Sequence, residues 1–398
     1  MHRLALLPVV SLSLVCLASG CADDGQVDTG GETNAETSAT QSEATSEESG
    51  DSQTTGDGDG DPATGDGDGD PTGDGDGDPT GDGDGDPTGD GDGDATGDGD
   101  GEPEEAGTIS FVAFGDQGEG NDAQFAVAAA AEVICEERGC DFALLLGDNF
   151  YDIGVDAVDD IQFIDKFEMP YADLDMPFYI TLGNHDYGET SAEWWRGQPQ
   201  LDYAMANPKW VFPKEWFSFS EVAGSTTVDV FAFDSSQLMW GRNYDEQSEW
   251  ISDAVANSTA TWKIAFAHHP YISNGQHGNA GCYEGFPAVP ILSGGDVKSF
   301  MDDHVCGTMD AYISGHDHNR QIFKTPVCDT YFFLSGASAK TTDLENHYPN
   351  LLCNDENPDV WQDDTREGFL YVTITGNEMT VAMYDLDGEL DYEQVINK

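Results

Sequence analysis

The 398-residue chain carries 78 Asp and Glu against 14 Lys and Arg, a formal net charge of −64. So acidic a surface repels phosphate backbones and anionic headgroups, which argues against nucleic acid or an anionic membrane face as a partner. Thirteen of the 14 basic residues lie after residue 107, and three stretches of different physics follow one another.

Residues 1–20 place Arg3 before a mostly apolar run from Leu4 to Leu17, followed by Ala18-Ser19-Gly20. A membrane-spanning helix needs about 20 apolar residues; this shorter run reads as an export signal. The stretch LASGC resembles the lipobox of bacterial lipoproteins, in which the cysteine, here Cys21, is lipidated and becomes the new N-terminus. An ordinary cleaved signal with a chance cysteine is the alternative. Ala22, rather than Asp, follows the cysteine and favours outer-membrane sorting in a host with two membranes. The expectation is an exported, cell-envelope lipoprotein on the outer membrane or cell surface, anchored by lipid through Cys21.

From residue 21 to residue 107 there is no Lys or Arg and almost no large apolar side chain. The eight-residue unit TGDGDGDP recurs in six copies, with small variations, between Thr55 and Pro103. Nothing here offsets the entropy of ordering, so a disordered acidic Gly/Asp linker is expected. Calcium-binding β-rolls also alternate Gly and Asp, but their repeats include an apolar residue that packs the roll, and none exists here. Weak multivalent cation binding is the alternative to an extended, self-repelling tether of roughly 50 Å root-mean-square span.

Residues 108–398 suit one large domain. In chain order, TISFVAF leads to Gly115-Asp116-Gln117-Gly118, and FALLL leads to Gly147-Asp148-Asn149-Phe150-Tyr151. FYITL leads to Gly183-Asn184-His185-Asp186, WKIAFA to His268-His269-Pro270, and AYIS to Gly315-His316-Asp317-His318-Asn319. Each polar cluster follows the C-terminal end of a strand, the edge at which open α/β sheets bind ligands. Helices are expected over 123–138, 160–167, 245–256 and 296–305. YFFLSGA, FLYVTITG and MTVAMYDLDG then read as strands, the last two meeting at Gly376-Asn377, a hairpin signal. Helix-alternating strands followed by a strand-rich end imply an α/β sandwich, two sheets face to face with helices outside. Six cysteines allow up to three disulfides and 15 pairings; Cys135 and Cys140 suit a small local loop, and the other four stay unassigned.

Singly, each cluster also has an ordinary reading: Gly-Asp after a strand makes a turn in which Asp caps its own backbone. Together they bring Asp116, Asp148, Tyr151, Asn184, His268, His316 and His318 to converging strand ends. Carboxylate, phenolate and amide oxygens suit hard cations, and imidazole suits zinc and iron alike. One carboxylate is able to bridge two ions roughly 3.5–4 Å apart, and Asp148 is the expected bridge.

GDQG, GDNFY, GNHD, AHHP and GHDHN resemble the metal-binding motifs of the purple acid phosphatases, within the metallophosphoesterase superfamily. The similarity is strongest to the small, tartrate-resistant type and extends over about residues 108–398 through ISFVAFGD, LGDNFYDIGV, KWVFP, ISGHDHN, LSGA and NEMTV. It implies a metallophosphoesterase-type sandwich of two mixed sheets flanked by helices. It also implies a ferric site of Asp116, Asp148, Tyr151 and His318, and a divalent site (Fe, Zn or Mn) of Asp148, Asn184, His268 and His316. His185 matches a histidine that contacts the substrate phosphate, and His277 in NGQHG a second active-site histidine. Gln117, Tyr187 and His269 depart from the family pattern, which is read as a change in the rim of the site.

The implied reaction is hydrolysis of small phosphate monoesters, metal-bound hydroxide attacking phosphorus in line while His185 and His277 protonate the leaving group. Ferric plus divalent ions give +5, two carboxylates and a phenolate −3, and a bridging hydroxide leaves the pocket at +1. Arg196, Lys340 and Arg366 are candidate helpers or ordinary surface charges, and Trp194-Trp195 a cleft wall or simple packing. Hydrolysis of phosphodiesters or nucleotides is the nearest alternative; such relatives usually carry a histidine where this chain has Gly118. A non-catalytic cation-binding surface lipoprotein is the alternative of another class. The working unit is expected to be a monomer.

Overall fold

The computed structural model describes residues 104–398 except 286, 288, 327 and 345–356. The signal, Cys21, the repeat linker and Cys353 lie outside the described residues.

Among the described residues, fourteen strands, numbered in chain order, form two mixed seven-stranded sheets. The first holds β1 (Thr108–Phe114), β2 (Phe142–Leu145), β3 (Phe178–Ile180), β4 (Trp210–Val211), β12 (Gly368–Thr375), β13 (Glu378–Asp385) and β14 (Leu390–Asn397). Their order is β14-β13-β12-β1-β2-β3-β4. The second holds β5 (Phe217–Ala223), β6 (Thr226–Ala232), β7 (Trp262–Phe266), β8 (Ala311–Ser314), β9 (Arg320–Lys324), β10 (Tyr331–Ser335) and β11 (Asp359–Asp363). Their order is β11-β9-β10-β8-β7-β6-β5. The helices are α1 (Asp122–Arg138), α2 (Gly197–Ala206), α3 (Ser235–Met239), α4 (Tyr244–Asn257), α5 (Pro290–Ser293) and α6 (Gly295–His304).

The layering follows from period-2 sorting of apolar residues along buried strands. In the second sheet, Val228, Val230, Ile264, Phe266, Ala311 and Ile313 enter a core shared with Phe111, Leu144 and Val372 of the first sheet. The alternate residues Phe231, Ala265 and Tyr312 join Ile251 of α4 and Val297 and Phe300 of α6 on the outer face. Helix α1 buries Val127, Ala131 and Ile134 in the core built around the first sheet, its N-terminus capped by the Asn121 side chain accepting from Gln124 N at 2.9 Å. This is the expected two-sheet sandwich with helices outside.

The expected helices 123–138, 245–256 and 296–305 appear within a residue or two of those bounds. The span 160–167 does not form an α-helix. It holds a π-helical turn, Ile164–Glu168, with Met169 N bonded to Ile164 O at 2.9 Å. That wider turn accompanies packing of Phe163 and Phe167 edge-on against Trp210, at 5.7 and 4.7 Å between ring centroids. Local periodicity yields there to aromatic packing. The hairpin at Gly376-Asn377 joins β12 to β13, with Thr375 opposite Glu378. The described disulfides are Cys135–Cys140, as expected, and Cys306–Cys328; Cys282 is also disulfide-bonded.

Strand register brings the motifs together. β1, β2 and β3 run parallel, Phe114 opposite Leu145 and Leu145 opposite Ile180. β7 and β8 run parallel, Phe266 opposite Ile313. Their C-terminal ends therefore lie level within each sheet: Gly315 N bonds His268 O at 3.0 Å within the second, and Ser338 N bonds Gly115 O at 3.2 Å from the second sheet to the first.

Candidate metal centre

Several chain turns at this edge are strained. Among the described residues, non-glycine positive φ occurs at Asp116 (57°), Asp148 (53°), Ser191, Asn243, Glu284 (56°) and His316 (74°). Three of the six are proposed ligands, and a left-handed non-glycine residue costs about 1–2 kcal/mol. Such strain persists where the surroundings over-determine it, characteristically at functional sites. Close approach adds a second constraint: a Cβ on Gly183 would lie 2.0 Å from Asp148 Oδ1, so only glycine lets the third loop pass the second.

The seven expected ligands form two donor groups that share Asp148. In the first, the Tyr151 hydroxyl lies 3.0 Å from Asp116 Oδ1, 2.9 Å from Asp148 Oδ2 and 3.2 Å from His318 Nε2. In the second, His268 Nε2 lies 3.4 Å from Asp148 Oδ2, 3.0 Å from Asn184 Oδ1 and 3.1 Å from His316 Nδ1. Asp148 Oδ1 accepts His185 N at 2.8 Å, and Asp116 Oδ2 accepts His316 N at 2.7 Å.

The second group shows why these atoms suit a cation. His268 Nδ1 faces Leu146 O at 3.0 Å and must donate to that carbonyl, which leaves Nε2 as a bare lone pair. That lone pair faces a carboxylate oxygen and an amide oxygen, neither of which carries a proton to share, so that of these neighbours only His316 Nδ1 is able to donate to it. The single Tyr151 proton likewise serves only one of the two carboxylates beside it. With more acceptors than protons to share, these two carboxylates, one phenol, one amide oxygen and three imidazoles have the chemistry of a buried cation site and fit iron with iron, zinc or manganese.

The local electrostatics agree. Burial, and then the charge of Asp148, push the Asp116 carboxyl well above its ordinary range. Burial opposes ionisation of Asp148 too, but the neighbouring His268 and His185, with bonds from His185 N and Tyr151, hold it below its ordinary value. Burial and the two carboxylates push the Tyr151 hydroxyl well up. Burial lowers His268, and burial together with crowding by other imidazoles lowers His316. Burial thus favours neutral His268 and His316, the form in which imidazole binds a metal, and protonated Asp116 and Tyr151, whose protons a bound cation would displace.

His185 and His277 stand beside these groups. His185 Nδ1 meets Asp152 O at 2.6 Å, and its ring lies 4.5 Å from that of Tyr151. The His277 ring lies 4.2 Å from that of His316, its backbone N donates to Asp317 Oδ1 at 2.8 Å, and its Nδ1 bonds Glu284 Oε1. Of the candidate helper cations, Arg196 is held by Glu193 and Asp156, and Arg366 by Asp385 and Asp387. Only Lys340 adjoins the site, its Nζ 3.6 Å from the Tyr151 ring centroid and 2.6 Å from Glu119 Oε1. Trp194 packs edge-on against Tyr187 and Trp240, while Trp195 is exposed beneath the Arg196 guanidinium.

The expected change in the rim is corrected by burial, because Gln117, Tyr187 and His269 are all buried. Gln117 Nε2 bonds Asn149 Oδ1 at 2.9 Å, Tyr187 donates to Asp234 Oδ2, and His269 Nδ1 pairs with Ser235 Oγ at 2.9 Å. These departures rebuild the support beneath the loops. Sequence reasoning missed Asp186, which accepts Gly183 N at 2.8 Å, Asn149 N at 3.1 Å and Gln200 Nε2 at 2.9 Å and so ties the second and third loops together. Its only signal was its place in GNHD. Glu284 carried no signal at all.

Residues 109–320 match the calcineurin-like phosphoesterase family. The chain is 30% identical to purple acid phosphatase 3 of Arabidopsis thaliana, over 71% of this chain and 76% of that one. It is 28% identical to the human tartrate-resistant acid phosphatase type 5, over 71% of this chain and 88% of the relative. In shape it resembles the yellow lupin purple acid phosphatase PPD1, with a TM-score of 0.54 and 19% identity, covering 74% of this chain and 54% of the other. It likewise resembles GAP50, the anchor in the inner membrane complex of Plasmodium, with a TM-score of 0.57 and 19% identity, covering 73% and 89%. Those two likenesses show the fold.

Proposed function

The chain belongs to the calcineurin-like phosphoesterase family and, within it, to the purple acid phosphatases, and from that premise we propose that it hydrolyses phosphate monoesters at a centre of two metal ions. The observation that carries this reading is the convergence of carboxylate, phenol, amide and imidazole side chains into two groups around the shared Asp148 carboxylate. Asp116, Asp148, Tyr151 and His318 would hold the ferric ion, and Asp148, Asn184, His268 and His316 the divalent one. When bound, the pair supplies Lewis acidity toward phosphoryl oxygens and an activated water.

The protein's own groups do the rest. His268 is locked in one tautomer by Leu146 O, and His185 is held on two sides, its backbone N donating to Asp148 Oδ1 and its ring Nδ1 to Asp152 O. With Nδ1–H of His185 and of His277 committed to Asp152 O and Glu284, Nε2 is the nitrogen that would face substrate, and one of the two rings, protonated also at Nε2, would give the departing alkoxide its proton. The scarcity of other cations at the site leaves phosphate binding to the centre, these histidines and Lys340.

Gly118 favours this reading over a phosphodiesterase or nucleotidase. A Cβ there would lie 2.2 Å from the Asn149 carbonyl carbon, so the histidine expected of such relatives has no room. The test is turnover by the full chain at acidic pH of p-nitrophenyl phosphate against bis(p-nitrophenyl) phosphate. Preference for the monoester supports the proposal; preference for the diester overturns it. Lipid anchoring through Cys21 to the cell envelope is part of the same proposal, and loss of acylation and membrane retention in Cys21→Ala is its test.

A further inference from the structure

His277 sits on a loop that is held unusually well for a segment rich in glycine. Ser273 N donates to Asn279 Oδ1 at 2.8 Å, Asn357 Nδ2 donates to the same oxygen at 2.8 Å, and Ala280 N bonds Tyr271 O at 3.0 Å. Asp317, between the two histidines of GHDHN, accepts His277 N at 2.8 Å and so pins the loop to the strand end that carries His316 and His318.

Glu284 closes this loop twice. Its backbone N donates to His277 O at 3.0 Å, and its carboxylate receives Nδ1 of the same histidine. To do so Glu284 adopts φ 56°, ψ 14°, a left-handed conformation for which a side chain is penalised by about 1–2 kcal/mol. Neither side chain is fully exposed, at 13% for His277 and 25% for Glu284. A carboxylate accepts only, so the Glu284 bond keeps a proton on Nδ1 of His277, and the acid form of the ring carries its second proton on Nε2. A carboxylate holding an imidazole in this way is the orienting partner of a general acid or base.

We propose that Glu284 is a positioning residue for the phosphatase reaction, fixing the ring plane of His277 so that Nε2–H of its doubly protonated form meets the leaving-group oxygen beside His316, gives up that proton and leaves Nδ1–H on Glu284. The proposal rests on the phosphatase reading above and deepens it. Delivery of a proton by a positioned side chain contributes on the order of 10²–10⁴-fold, and this contribution matters most when the leaving alkoxide is a poor one.

The test uses the full chain and four variants, Glu284→Ala, Glu284→Gln, His277→Ala and the double alanine variant, with metal content measured in each. Two substrates separate the roles: an alkyl phosphate such as glycerol 2-phosphate, and p-nitrophenyl phosphate, whose leaving group needs little protonation. The expected result for Glu284→Ala is a fall in kcat on the order of 10²-fold for the alkyl ester. The loss for the aryl ester should be much smaller, and KM should stay nearly constant. Glu284→Gln, whose amide oxygen still accepts Nδ1–H, should recover most of the loss, and alanine at 284 should add nothing once His277 is gone. Equal losses on both esters, additive losses in the double variant, or no recovery in Glu284→Gln would overturn the positioning role while leaving the phosphatase reading intact. Absence of turnover of either ester by the unaltered chain would overturn the phosphatase reading itself, and the proposal with it.

Discussion

At the scale of single residues, the donor set was readable because each ligand stands in a short motif after a strand, and strand ends in parallel sheets converge. Tyr151 shows how much chemistry one letter carries: its hydroxyl lies within 3.0 Å of both Asp116 and Asp148, where a phenolate bound to a ferric ion would give a violet charge-transfer band. Tyr151→Phe should abolish visible absorption in protein that still binds metal; an unchanged spectrum would remove Tyr151 from the ligand set. Gly118 supplies a second residue-scale prediction. Gly118→Ala forces a Cβ against the Asn149 backbone at 2.2 Å, and overpacking of this kind costs about 1–3 kcal/mol or more. Urea denaturation checks it, and a variant as stable as the parent would contradict the close packing of the first two loops. Glu284 and Asp186 were not legible, since a lone carboxylate says nothing until the fold places an imidazole or three donors beside it.

Among the elements, strands that end in a motif and amphipathic helices were readable, and the polar ones were not. Edge strand β14 buries little besides Ile396, so it lacks the apolar run that marks a strand. The short helix α3 owes its place to Asp234, which caps it by accepting Gln237 N at 2.9 Å and also accepts from Tyr187. Burial, only partly offset by those bonds, pushes the Asp234 carboxyl from its ordinary 3.8 up to about 6. A folded-state pKa above the unfolded one means that the folded protein holds the proton more tightly. The stability this group contributes is therefore fully present below pH 3.8 and is lost as pH rises to about 6. Asp234→Asn keeps an oxygen for the cap and removes the titration. Unfolding free energy followed across that window should decline more steeply in the parent than in the variant, and parallel curves would show that Asp234 is not the titrating group.

For the whole molecule, composition separated an acidic, repeat-rich N-terminal stretch from a domain with its own core, and the order of strands and helices implied the two-sheet sandwich. Which residues of β6, β7 and β8 face the other sheet followed from period 2 once the layers were known; the pairing of Cys306 with Cys328 did not follow from spacing at all. A site this rich in buried acceptors would also tie the stability of the domain to bound metals, by mass action on the folded state. Chelation should lower the Tm of the full chain, and Asp148→Ala should largely lose that dependence; equal shifts in both proteins would place the stabilising ions elsewhere. The central claim is that Asp148 joins two cation sites into one hydrolytic centre. Metal analysis of the purified full chain beside Asp148→Ala, with phosphomonoester turnover measured on the same samples, tests it most directly. The account predicts two tightly held metals per chain, one of them iron, with both metals and turnover lost in the variant. A folded parent that holds no metal, or a variant that keeps its turnover, would contradict it.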